Sequence, residues 1–264
     1  MKLGICGFLS GKNADGREFD FLSLARQAGF DYVEWPLSTL AGLSEEDFSE
    51  AVRKLKASGM VCEACNLFFP GTLRLTGPGV NHQVIRDYLE LALGRAGQLG
   101  AQVVVFGSGG ARRVPEGFPK EQAWVQLVEM LRSAGEIARR FGIVIAIEPL
   151  NRDETNLIHT AAEGFALARL VDHPSVRLLL DVYHMVKEKE DFGVAQTARG
   201  WLAHAHFAEP NRRTFPTVVD ETGRAFFEAL MQSGYTGRVS LEAGFTDFES
   251  ESRQALKVMR ELAG

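Results

Sequence analysis

No run in this sequence is apolar for long enough to span a bilayer. The opening residues Met1–Gly7 lack the long apolar core and small-residue cleavage site of a secretory signal. A cytoplasmic protein without a membrane partner is therefore expected. Cysteine is scarce: Cys6, Cys62 and Cys65 are the whole set, an odd count without framework spacing, which argues against a disulfide scaffold. Cys62 and Cys65 have C-x-x-C spacing, but no second pair completes a zinc site and the motif lies in a strand-like run. Buried thiols are expected there rather than a redox or metal pair. Positive charge is not in excess either. A net charge of -5 and a pI near 5.8 argue against nucleic acid or an anionic membrane as the main partner and leave a small neutral sugar open. No low-complexity linker or charge block divides the 264 residues, so a single domain over 1–264 is expected.

What is present is alternation. Short apolar runs at Leu3–Gly7, Asp31–Trp35, Met60–Asn66, Gln102–Phe106, Ile143–Glu148, Val176–Asp181, Ala203–Phe207 and Val239–Glu242 read as strands. Continuous apolarity, as in Val103–Phe106, suits strands covered on both faces of a parallel sheet. Amphipathic stretches separate them. Ser44 starts one carrying Phe48, Val52 and Leu55, and Asn81 starts another carrying Val84, Ile85, Tyr88, Leu89 and Leu91. Gly59, Gly100, Gly142 and Gly234 end helices before the next strand. Eight such units fit an α/β closed (β/α)8 TIM barrel, and also a long open doubly wound sheet. The longest irregular pieces, 67–80, 107–117 and 209–222, each follow a strand, where a barrel builds its active site.

The strand ends carry the chemistry. Four consecutive strands finish in metal-type ligands: Glu148, Asp181, the pair His204 and His206, and Glu242. One such carboxylate is commonly a helix cap or a structural ion pair. Four in succession are harder to explain so, because a carboxylate buried at the end of an apolar strand is costly unless paired or metal-bound. Residues two apart on a strand face the same side. His206 is nearer the rim and is preferred as ligand, with His204 a core histidine one layer below. Three carboxylates and one imidazole suit Mn, Mg, Co or Fe better than structural Zn.

The segments Ile147-Glu148-Pro149-Leu150-Asn151-Arg152, Leu180-Asp181-Val182-Tyr183-His184-Met185, His204 through Arg213, and Leu241-Glu242-Ala243-Gly244 resemble the xylose isomerase-like TIM-barrel superfamily. Within it they look closest to ketose 3-epimerases of the tagatose/psicose type and to hydroxypyruvate isomerases. The resemblance implies one divalent metal ion (Mn, Mg or Co, with Zn or Fe as further options) held by Glu148, Asp181, His206 and Glu242. It implies substrate contacts from Glu154, His184 and Arg212, which stand at the family's spacings after the metal ligands. It further implies Glu148 and Glu242 as the catalytic acid–base pair, working beside a carbonyl through an enediolate. The substrate expected is a small sugar or hydroxy-keto acid, most of all a ketose epimerised at C3. Isomerisation of hydroxypyruvate and dehydration of an inosose-type polyol are the rivals on the same metal site, and a homo-oligomer is left open. An apurinic endonuclease is disfavoured, since Asn66 and Gly107 stand where its extra histidines would follow the third and fourth strands. A non-catalytic sugar-binding protein would have no need of two carboxylates flanking one metal.

Weaker signals remain. The loop Gly107-Ser108-Gly109-Gly110-Ala111-Arg112-Arg113 fails the dinucleotide fingerprint. A tight turn with solvated arginines is preferred there over a phosphate cradle. Trp35, Phe68 and Phe69 suit either an apolar wall over a sugar or packing between helices. Glu34, His82, His159 and His173 receive no role.

Overall fold

The computed structural model describes residues 1–211 and 213–264. In chain order the elements are β1 (Lys2–Cys6), β2 (Ser10–Lys12), β3 (Glu18–Asp20), α1 (Phe21–Ala28), β4 (Tyr32–Pro36), α2 (Leu37–Gly42), α3 (Glu45–Ser58), β5 (Cys62–Asn66), α4 (His82–Leu99) and β6 (Val103–Phe106). There follow α5 (Lys120–Arg140), β7 (Val144–Ile147), α6 (Ala161–Val171), β8 (Val176–Asp181), α7 (Val182–Lys187), α8 (Val194–Thr197), β9 (Leu202–Phe207), α9 (Glu221–Gln232), β10 (Arg238–Leu241) and α10 (Phe248–Ala263). Among the described residues, eight parallel strands close into a barrel in the order β1-β10-β9-β8-β7-β6-β5-β4. These are the eight strands expected, and closure eliminates the open doubly wound sheet. β2 and β3 form a separate antiparallel hairpin that no expectation covered.

The barrel interior is filled by Tyr32, Ala64, Val103, Val105, Ala146 and Leu179. Gly4 makes room for the largest of them, since a Cβ there would overlap the Tyr32 ring. The outward strand residues pack with the helices into the main core. Several helices start and stop on the residues expected. Ser44 accepts from Asp47 N at the start of α3, and Asn81 accepts from Gln83 N and Val84 N at the start of α4. Gly59 and Gly100 end these two helices in the left-handed conformation. Of the apolar residues on α4, Ile85 and Leu89 are buried, whereas Val84 and Leu91 are exposed. Cys62 and Cys65 are buried free thiols inside β5, as expected, and the neighbouring Cys62 thiol together with burial raises the Cys65 thiol well above its ordinary pKa. No described helix is long and apolar enough to cross a membrane.

Candidate metal centre and active site

The strand register brings the strand-end side chains together. Asp181 closes β8 opposite His206 of β9, and His206 in turn lies opposite Ser240 of β10. Glu148 and Glu242 are the first residues beyond β7 and β10; each still donates its N–H to the neighbouring strand, to Phe106 O and Phe207 O. The four side chains therefore converge at the C-terminal mouth. His206 Nδ1 lies 3.1 Å from Glu148 Oε1, 3.5 Å from Glu242 Oε2 and 3.9 Å from Asp181 Oδ2. One donor atom from each of the four falls within 4.8 Å of all the others.

This donor set fits a divalent cation. Three hard carboxylates and one borderline imidazole nitrogen make an oxygen-rich donor set, and Glu148, Asp181 and His206 are buried. Buried carboxylates this close repel one another unless a positive charge lies among them. Burial, together with Glu148 and Glu242, raises the Asp181 carboxyl above its ordinary pKa despite the opposing pull of His184. Burial alone would lower the His206 imidazole, but Glu34 and Glu242 outweigh it and push the pKa well up. The cluster thus draws positive charge from whatever is available, which is what a cation would satisfy. A second set of donors, Cys6, Glu34 and His206, shares His206 with the first. There His206 Nε2 is already bonded to Glu34 Oε1 at 3.0 Å.

The expected substrate residues divide. His184 is buried beside the cluster, its Nε2 3.8 Å from Asp181 Oδ2 and without a hydrogen-bond partner among the described residues. Its Nδ1 faces Asn151, 3.2 Å from the backbone N and 2.8 Å from Nδ2. Glu154 stands at the rim, accepting from Asn151 Nδ2 at 3.1 Å and from Arg213 at 3.5 Å. Arg212 lies outside the described residues. Its neighbour Arg213 donates to Glu242 Oε2 and lies 5.1 Å from the Tyr183 ring centroid. Glu242 Oε1 accepts from Asn66 Nδ2 at 3.0 Å, so both of its oxygens are engaged.

Arg213, Asn66, Asn151 and Glu34 are the site residues the sequence reading missed. Glu34 had a usable signal, an acid inside an apolar strand like those of the ligands. His204 lies one layer below, as expected, and bonds to Glu34. The arginine pair after β6 needs correction. Arg113 is exposed, but Arg112 is fully buried and donates to the carbonyls of Phe106, Glu148 and Ile158. Burial lowers its pKa to about 10. It ties down the backbone that carries Glu148, which explains why a charged side chain is retained in the interior. Trp35, Phe68 and Phe69 are buried in the main core, which decides for packing.

Gly107 has a related duty. A Cβ there would overlap Glu148 Oε2, the flexible end of the side chain rather than backbone. Gly107→Ala is therefore expected to leave the fold intact and push the carboxylate out of place. A displacement of about 1 Å costs on the order of 100-fold in rate. Steady-state kinetics beside a thermal melt check this, and an unchanged rate would show that Glu148 has other room.

The family profile described as the xylose isomerase-like TIM barrel matches residues 22–262. The chain belongs to this family. Relatives in it include a D-psicose 3-epimerase of Ruminiclostridium cellulolyticum, 35% identical over 150 residues covering 54% of this chain and 49% of that protein. The match thus spans about half the length of that relative. An L-ribulose 3-epimerase of Mesorhizobium japonicum is 25% identical over 260 residues, covering 95% of this chain and 84% of that one. Among solved structures, a D-psicose 3-epimerase crystallised in the presence of D-fructose superposes with a TM-score of 0.84 at 24% identity, covering 100% of both chains; at that identity the likeness shows the fold.

Proposed function

We propose that this member of the family is a divalent-metal-dependent sugar epimerase acting on a ketose at C3, with Glu148 and Glu242 as the acid–base pair. The observation that carries the reading is the convergence of Glu148, Asp181, His206 and Glu242 within 4.8 Å at the barrel mouth. Relatives named as psicose, ribulose and ketose 3-epimerases support it.

A hydrogen on carbon beside a ketone is too weakly acidic to leave unaided. A divalent cation supplies the Lewis acidity that makes it acidic enough. The protein supplies two carboxylates flanking one point. For inversion, one carboxylate removes the C3 proton from one face and the other delivers a proton to the opposite face. Microscopic reversibility then assigns each carboxylate as the base for one epimer. One must begin ionised and the other protonated. The hydrogen bonds from Asn66 and Arg213 favour the ionised form of Glu242. His184, whose Nε2 has no hydrogen-bond partner among the described residues, and Glu154 at the rim would hold substrate hydroxyls.

The test is label uptake. The Mn-loaded protein, incubated with a panel of ketoses and hydroxypyruvate in deuterated water, is expected to place deuterium at C3 of a ketose and to yield its C3 epimer. Label at C1 of the recovered ketose, with an aldose labelled at C2, would mean an aldose–ketose isomerase. Absence of label from every substrate with Mn, Mg and Co would sink the proposal.

A further inference from the structure

Beneath the four ligands lies a buried polar cluster. Glu34, fully buried near the middle of β4, has both carboxylate oxygens engaged. Oε1 accepts from His206 Nε2 at 3.0 Å. Oε2 accepts from Ser240 Oγ at 2.5 Å and from His204 Nε2 at 2.7 Å. Ser240 gives its proton to Glu34 and so accepts from the Tyr32 hydroxyl at 2.7 Å. The chain of donors runs from Tyr32 through Ser240 to Glu34. These residues are up to 208 positions apart in sequence and meet because the barrel closes β4 onto β1, β10 and β9.

We propose that Glu34 is a positioning residue for the metal ligand His206, fixing both the plane of its ring and its tautomer; this rests on the metal reading given above. The physical reason is the single N–H of a neutral imidazole. A carboxylate facing Nε2 requires the proton there, which leaves the lone pair on Nδ1. Nδ1 is the atom that faces Glu148, Asp181 and Glu242. The other tautomer would set a lone pair against Glu34 and an N–H against the cation. Such carboxylate–histidine–metal arrangements typically strengthen metal binding 10- to 100-fold. A carboxylate held by three donors, with both oxygens engaged, is also a rigid one, so the ring it holds does not swing.

A merely structural Glu34, neutralising two core histidines, would matter for folding but not for the metal. Glu34→Gln separates the two. On the Oε2 side two donors, Ser240 and His204, require an oxygen. The amide NH2 therefore turns toward His206 Nε2 and drives the imidazole proton to Nδ1, the wrong side for a cation. The experiment measures Mn2+ affinity by chelator competition, with the metal-free melting midpoint beside it, and the His206 tautomer by nitrogen NMR of the Mg2+-loaded protein.

Expected are a 10- to 100-fold loss of Mn2+ affinity in Glu34→Gln, exceeding any change in metal-free stability, and loss of the Nε2-protonated signature. Glu34→Asp, which keeps the charge, should recover part of the affinity, and it carries the same test if Glu34→Gln does not fold. Mn2+ binding by the variants within twofold of wild type overturns the positioning role while leaving the proposed epimerase standing. Wild-type protein that takes up no Mn2+ overturns the metal reading, and this inference with it.

Discussion

Glu148→Gln and Glu242→Gln are each expected to lower kcat by on the order of 100- to 10,000-fold, the usual worth of a positioned general acid or base. Both side chains sit at the ends of strands and can lose a charge without losing a packing contact, so far-UV circular dichroism should not change. Each amide also removes a charged metal donor. The rates must therefore be compared at Mn2+ concentrations that saturate each variant, or lost binding will pass for lost proton transfer. A second measurement isolates the proton step. In either variant the remaining carboxylate still faces one side of C3. It can take a proton, exchange it with solvent and return it to the same face. Exchange without inversion is therefore expected from one epimer in Glu148→Gln and from the other in Glu242→Gln. A variant that epimerises at the full rate would remove its residue from the acid–base role.

That these two residues were visible before the fold was known has a physical origin. Burying a carboxylate at the end of a run such as Ile143–Ile147 is expensive, so the acid closing the run marks a compensating partner. All eight barrel strands were legible for a similar reason, because strands covered on both faces read as largely apolar runs. The β2–β3 hairpin was not legible. Ser10–Lys12 and Glu18–Asp20 are three residues each and mostly exposed, and Phe19 alone is too little to show an apolar alternation. The hairpin is held from the other end of the chain. Ala14 N bonds to Thr246 O, Asn13 Oδ1 accepts from Phe248 N, and the Phe19 ring stacks on Phe248 at 4.6 Å. Glu34 stayed without a role because its partners, His204, His206 and Ser240, lie 170 to 206 positions away and meet it only through barrel closure. Arg112 was misjudged as solvated because nothing in a glycine-rich loop announces that three backbone carbonyls will need a shared donor.

Removing the divalent ion with a chelator is expected to abolish turnover and to lower the melting temperature by about 5 to 10 °C, with Mn, Mg or Co restoring both. The size follows from linkage. An ion held at 100 times its dissociation constant, and bound by the folded chain alone, stabilises it by about 2.7 kcal/mol. Each kcal/mol moves the midpoint of a chain somewhat smaller than this one by roughly 2 to 4 °C. The shift should also depend on pH in a definite direction. Burial and the neighbouring carboxylates raise the pKa of Asp181, so protons compete with the cation further up the pH scale than for an exposed aspartate. The ion-dependent part of the melting temperature is therefore expected to be larger at pH 8 than at pH 5.5. Differential scanning fluorimetry with and without chelator at the two pH values reads this directly. Identical melts at both, with turnover undiminished by the chelator, would mean that Glu148, Asp181, His206 and Glu242 converge for some purpose other than holding a cation.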